Sequence, residues 1–299
     1  MTADHPQEAG ARYAGRSPGP TVSFIEQLLS FGTDHILQHD LLASPALTTP
    51  KGAPEITVRA ATALSLARRA LDLQEGLAGL PLHQGQTFRS VQARLRQLAM
   101  LATDSSEALA NAADALAPVR GITSLEELGA PWAMEARRLA RDAVAAGRDF
   151  MAFGAQDCLA AAEALAADLR QRGSSPSKRP AGLSPAQHAG LRAIALGHVA
   201  VSDDKTVHLH GDSRPVAIAT IRSLEARGLT TREVSPLHWF WSRSIPTPAG
   251  HRALAATLTA PATFLSASAP AARPSRPTPH TTNLCPLAKR RGTHPRRFP

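Results

Sequence analysis

Apolar residues recur at helical spacing through the first half of the chain. Between Thr21 and Leu42, the positions Phe24, Leu28, Phe31, His35 and Leu42 fall near one face of a helix. Ser44 to Pro54 breaks the pattern with three prolines and a glycine, and Glu55 to Leu80 resumes it through Ala60, Leu64, Ala67 and Leu71. From Gln86 to Ala117 the recurrence becomes a heptad: Phe88, Leu95, Ala102, Leu109 and Leu116 share one position, and Val91, Leu98, Ser105 and Ala112 share another. A helix over that span is about 45 Å long, enough for one side of an antiparallel bundle. Pro118 and Gly121 end it. Pro131 then opens a helix predicted to run to Arg172, with Trp132, Ala136, Leu139, Ala143, Gly147, Phe150, Gly154, Cys158, Ala161 and Leu165 on one stripe. Its Gly and Ala positions predict a close approach by a neighbouring helix rather than a ligand pocket.

The second half reads differently. Gly173 to Gly182 has linker composition. Ser184 with Pro185 predicts a capped helix carrying Leu191, Ile194 and Ala195 as far as Gly197, and Lys205 to His210 alternates like a short strand. Ser213 is placed to cap a helix over 213–227, with Ile218, Ile221 and Leu224 on its inner face and Gly228 as its C-cap. Leu229 to Val234 and Trp239 to Ile245 read as a hairpin around Ser235-Pro236-Leu237, and Thr247 caps a final helix, Pro248 to Leu258.

The run ATIRSLEARGLTTRE, a hairpin and then SIPTPAGHRALA resembles the recognition helix, wing and closing helix of MarR-like winged-helix regulators, over residues 183–258. The chain differs in having KTVHLHGD where those regulators carry a short helix, and Pro246 where they usually have Leu. The resemblance implies a helix 213–227 that enters the major groove and a hairpin 229–246 that lies along the backbone or in the minor groove. Arg214 and Thr220 are then the base-edge candidates, and Arg222, Arg232 and Arg243 the phosphate contacts. His238 to Trp241 holds three of the chain's twelve aromatics, with Trp239 and Trp241 on one strand face. They either pack on a core or partner, or stack on nucleic acid, the role in which Trp239 joins the candidate DNA-binding set.

Composition narrows this picture. Aromatics make up only 4% of the 299 residues, which favours helices over a β-sandwich. The formal charge of +9 is unevenly placed. Lys and Arg number 18 against 19 acids over 1–180, 8 against 5 over 181–260, and 7 against none beyond. The high pI thus belongs largely to the tail and does not mark the folded part as basic. The N-terminal residues lack a signal-peptide core and no run is long enough to span a membrane, so the expectation is a cytoplasmic protein with no membrane contact. Cys158 and Cys285 are too few for a disulfide framework.

The chemistry of an enzyme is not evident. His35 and His39 lie four apart on a helix, and His208 and His210 share a strand face, but neither pair has a third metal ligand. Glu126-Glu127 favours a helix start, and no phosphate-binding glycine loop or nucleophile elbow occurs. The expected fold is mainly α. Disordered residues 1–20 precede an antiparallel bundle over 21–172, a linker over 173–182, a small α+β winged-helix domain over 183–258 and a disordered basic tail over 259–299. The expected function is a non-enzymatic, cofactor-free DNA-binding regulator. Helices 55–80, 86–117 and 131–172 would supply a homodimer or protein-partner surface. The alternative is a helical scaffold whose winged unit contacts protein.

Overall fold

The computed structural model describes residues 19–80, 82, 84–173, 182–202, 207–209, 215–234 and 241–260. Residues 1–18, most of the linker, Ser213, Arg214, Trp239 and the tail beyond 260 lie outside the described residues. The fold is mainly helical with one small antiparallel sheet.

Among the described residues six α-helices come first: α1 (Pro20–Leu42), α2 (Ala53–Ala78), α3 (Gln86–Leu116), the single turn α4 (Leu125–Leu128), α5 (Pro131–Met151) and α6 (Gly154–Gln171). All nine heptad positions of α3 are buried, with its seam facing both α2 and α5. Hydrogen bonds from Ser106 to the Ala60 carbonyl and from Arg96 to Gln74 fix α2 and α3 as antiparallel neighbours. On the other side, the Ser105 hydroxyl donates to the Gly147 carbonyl at 2.8 Å, tying α3 to α5.

Two expectations for these helices need correction. Residues 131–172 form two helices, broken at 152–153, rather than one. Gly154 starts α6 directly against the His35 ring, where an added Cβ would stand 2.1 Å from Cγ, so the chain changes course to pack α6 along α1. The apolar stripe runs on unbroken across this point, which is why spacing alone joins the two. The second correction is that α1 is buried nearly all round, including Ile25, Leu29, Thr33 and Ile36, not on one face. It lies among α2, α5, α6 and the last helix, as expected of a helix apolar on every side.

The C-terminal elements are α7 (Pro185–Ala195), β1 (Val199–Ser202), β2 (Val207–Leu209), α8 (Ile218–Ala226), β3 (Thr230–Val234), β4 (Trp241–Pro246) and α9 (Pro248–Thr259). The strand order is β2-β1-β4-β3, all antiparallel. Strand β1 is absent from the sequence reading because all four of its residues are buried, so it shows no alternation. The helix expected over 213–227 begins instead at Ile218, with Ala217 extended and offering no side-chain cap. Val216 is half-buried and packs on the core, and this holds the segment out of the helix.

Candidate nucleic-acid interface

Helix α7 starts with a full capping box: Gln187 N–H donates to the Ser184 hydroxyl at 3.2 Å, and the Gln187 side chain accepts from Ser184 N–H at 2.9 Å. The same Gln187 amide donates to Ser223 at 2.8 Å, and its oxygen accepts from Arg227 at 3.1 Å, so one side chain fixes α8 against α7. Beyond α8, Leu229 N–H bonds to the Leu224 carbonyl and Gly228 N–H to that of Glu225, a Schellman turn that sends the chain into β3. Thr247 completes the unit: its hydroxyl caps α9 by accepting from Gly250 N–H and donates to the Gly228 carbonyl at 2.6 Å. These bonds leave α8 with its buried face, Ile221 and Leu224, on α7 and β3, and with Ala219, Arg222 and Ala226 exposed.

The six candidate residues occupy unlike positions. Arg222 is exposed on the outer face of α8. Arg232 is exposed on β3 and grips Glu225 through two bonds of 2.6 and 3.1 Å. Thr220 is half-buried and faces a groove of about 520 Å³ between α7 and the start of α8, so it does not stand on the outer face of α8. Arg214 and Trp239 lie outside the described residues.

Arg243 corrects the sequence reading most. It is buried on β4, with Nε and one terminal nitrogen donating to both oxygens of Asp40 at 2.6 and 2.7 Å and the other nitrogen donating to the Gly197 carbonyl. A guanidinium used in this way has no free edge for a phosphate. The carboxylate is α1's. Burial alone would raise the Asp40 pKa, but bonds from His39 and Arg243 hold it below the usual carboxylate value. Gly197 stands at φ +72, closing α7, and has Ile36 packed where a side chain would project.

A second polar contact joins the same helix to α9. Thr33 donates its proton to the Leu29 carbonyl, so His251 Nε2 donates to Thr33 at 2.9 Å. Burial lowers the His251 pKa to about 4. His35 is lowered to about 4 for the same reason; it sits edge-on to Phe31 at 4.7 Å, with neither ring nitrogen bonded. His35 and His39 therefore point to different surroundings and do not converge. Among the described residues no group of three His, Cys, Asp or Glu gathers as a metal site. His210 and the His208 side chain lie outside them. Cys158 is buried, its thiol pKa pushed up by desolvation.

Gln187 and Asp40, the bond from Arg227 to Gln187 and the burial of Arg243 are absent from the sequence reading. The capping box gives Gln187 a detectable signal. Nothing in the local pattern marks Asp40 and Arg243 as partners 203 residues apart. No described helix is long and apolar enough to cross a membrane. The chain matches no family model, no curated protein and no solved structure.

Proposed function

We propose that the chain is a DNA-binding regulator of the winged-helix kind, with α8 as the element entering the major groove and the β3–β4 hairpin as the wing. The observation carrying this reading is the outward face of α8. Ala219, Arg222 and Ala226 are exposed there, beside an edge strand whose residues Thr231 to Val234 are all exposed. Small residues around one arginine let a helix approach base edges closely. Contact with the helical body runs mainly through α9, Arg243 and the Arg192–Glu163 pair, and among the described residues α8 packs mainly on α7 and β3.

In this reading Arg222 and Arg214 address the DNA, while Arg232 meets phosphate by exchanging its Glu225 partner. Arg243 positions the hairpin instead of touching DNA. The tail, with seven Lys and Arg and no acids, adds sequence-independent attraction. The competing reading, a scaffold whose sheet unit docks protein, is favoured by the Arg232–Glu225 pair, which lowers the positive charge of the hairpin.

The test is electrophoretic mobility on genomic fragments. It compares the full chain, a variant with the tail's seven basic residues changed to Gln, and Arg222→Ala in each background. The tail variant should bind more weakly with a shallower salt dependence. Arg222→Ala should then cost a further factor of about ten. No binding by the tail variant at low salt would overturn direct recognition by α8.

A further inference from the structure

Buried ring nitrogens are ordinarily hydrogen-bonded, because an unpaired one gives up the bond it made with water. His35 departs from this: it is completely buried, and neither Nδ1 nor Nε2 has a hydrogen-bond partner. Its ring fills the seam between α1 and the start of α6, edge-on to Phe31 at 4.7 Å and pressed on Gly154, where a methyl would overlap it. One turn further along α6, Cys158 lies under α1 in the same seam. A Cβ on Gly32 would stand 3.1 Å from the Cys158 Cβ. Gly32 with Cys158 and His35 with Gly154 are thus neighbouring rungs of one antiparallel contact. Helix α6 enters this seam straight from α5, through only Ala152 and Phe153, both exposed.

We propose that this contact is an acid-operated gate over Cys158. A proton on His35 lifts the first two turns of α6 off α1, with the break at 152–153 as the hinge, and opens the sulfur to solvent and to thiol reagents.

The surroundings make a charged ring untenable in the closed seam. An imidazolium carries two N–H donors, and no acceptor stands within reach of either nitrogen. The start of α6 is the positive end of its helix dipole, and Phe153 gives it no side-chain cap. Burial, and after it the guanidinium of Arg69 on α2, hold the ring pKa down at about 4. Arg69 itself is bound to Asp34 and lies over the Phe31 ring at 5.5 Å. On the other elements that pack on α1, the charged and titratable groups are engaged elsewhere or stand at helix ends. Asp157 of α6 is bound to Arg94 of α3, and His251 of α9, one position before Arg252, is bonded to Thr33. Arg148 and Asp149 lie in the last turn of α5, and α7 meets Ile36 through Gly197, next to His198.

The opening is local because little besides the seam holds this end of α6. Among the described residues, Asp157–Arg94 is the side-chain bond that its first two turns make to another helix. With the gate shut, burial raises the thiol pKa, and the sulfur stays protonated and inert.

Labelling of Cys158 by a dipyridyl disulfide, in a Cys285→Ser chain, reads the gate. Rates are divided by those of the urea-unfolded chain at the same pH, which removes the pH dependence of the thiol chemistry. The open population should rise about twentyfold from pH 7 to pH 5, as for one histidine titrating near 6.5 when released and about 4 when held. Low urea should leave that rise unchanged, since a local opening exposes little surface. His35→Leu should label slowly at both pH values, and Gly154→Ala, which wedges the same seam, should label faster than the parent at pH 7. Hydrogen exchange of the unsubstituted chain needs no variant: once corrected for intrinsic rates, the first two turns of α6 should lose protection at pH 5 while α3 keeps it. Labelling indifferent to pH, a rise as large in His35→Leu, or a rate that climbs with urea as whole-chain unfolding does would each overturn the proposal.

Discussion

The helical body and the sheet-bearing unit are held together by different means. In the body, repeated apolar layers do the work: nine consecutive heptad positions of α3 fill the space between two neighbours, and few of the contacts depend on a particular bond. Around the sheet fewer apolar residues are buried, continuous with the core of the body, and single polar groups set the geometry. Gln187 serves two helices, Thr247 serves a cap and a turn, and Arg243 serves a strand, a helix end and a helix of the body. Volume tolerates substitution gradually, whereas a buried ion pair fails at once when one member is lost.

Asp40→Ala should therefore be the most damaging single change in the contact between the two regions. Removing it strands a buried guanidinium, at a cost of about 3–5 kcal/mol in urea unfolding. Adding Arg243→Leu should restore most of that loss. A double variant as unstable as Asp40→Ala would mean that packing, not charge, holds the regions together.

Acid should expose the second difference. His35 and His251 titrate near 4 when folded and near 6.5 when unfolded, so between those values the unfolded chain takes up protons that the folded chain refuses. Stability is full above pH 6.5 and falls toward pH 4 by at most about 1.4 kcal/mol per pH unit for each histidine. Asp34 and Glu26, whose carboxyl pKa values are raised mainly by burial, oppose this as the pH falls. Melting temperatures of His35→Leu should show roughly half the acid sensitivity. An unchanged slope would assign the effect to other groups.

Two smaller changes compare the regions directly. Gly154→Ala forces a methyl into the His35 ring and should cost about 1–3 kcal/mol in the body, read from the urea midpoint. Thr247→Ala removes a cap and a bond to the Gly228 carbonyl and should cost about 1 kcal/mol in the sheet unit. Arg222→Ala should move thermal stability by less than about 0.5 kcal/mol, since the side chain is exposed.

This contrast also explains what the sequence made legible. The α3 heptad could be read because all its buried positions but Ala99 obey one period, and the Ser184, Thr247 and Gly228 signals because caps and turns are local chemistry. The break before α6 was hidden because apolar spacing continues through Phe153 and Gly154, and only the distant ring of His35 makes the helix start afresh there. Strand β1 was hidden by burial on both faces. Of the candidate contacts, Arg222 and Arg232 stand at the surface as expected, whereas Arg243 was misread because charge was assumed to mean exposure. The partner that reverses this assumption, Asp40, comes from the first helix.

That partnership also orders events during synthesis. Asp40 leaves the ribosome with α1, and Arg243 follows 203 residues later. At about 5–20 residues per second the carboxylate waits roughly 10–40 s for its cation. Until then α1 also lacks α9, so its face toward that helix stays wet. Helix α1, made before the other described helices, is thus among the last to be completed, and a chain stalled before β4 would hold a charged residue where the finished fold keeps water out.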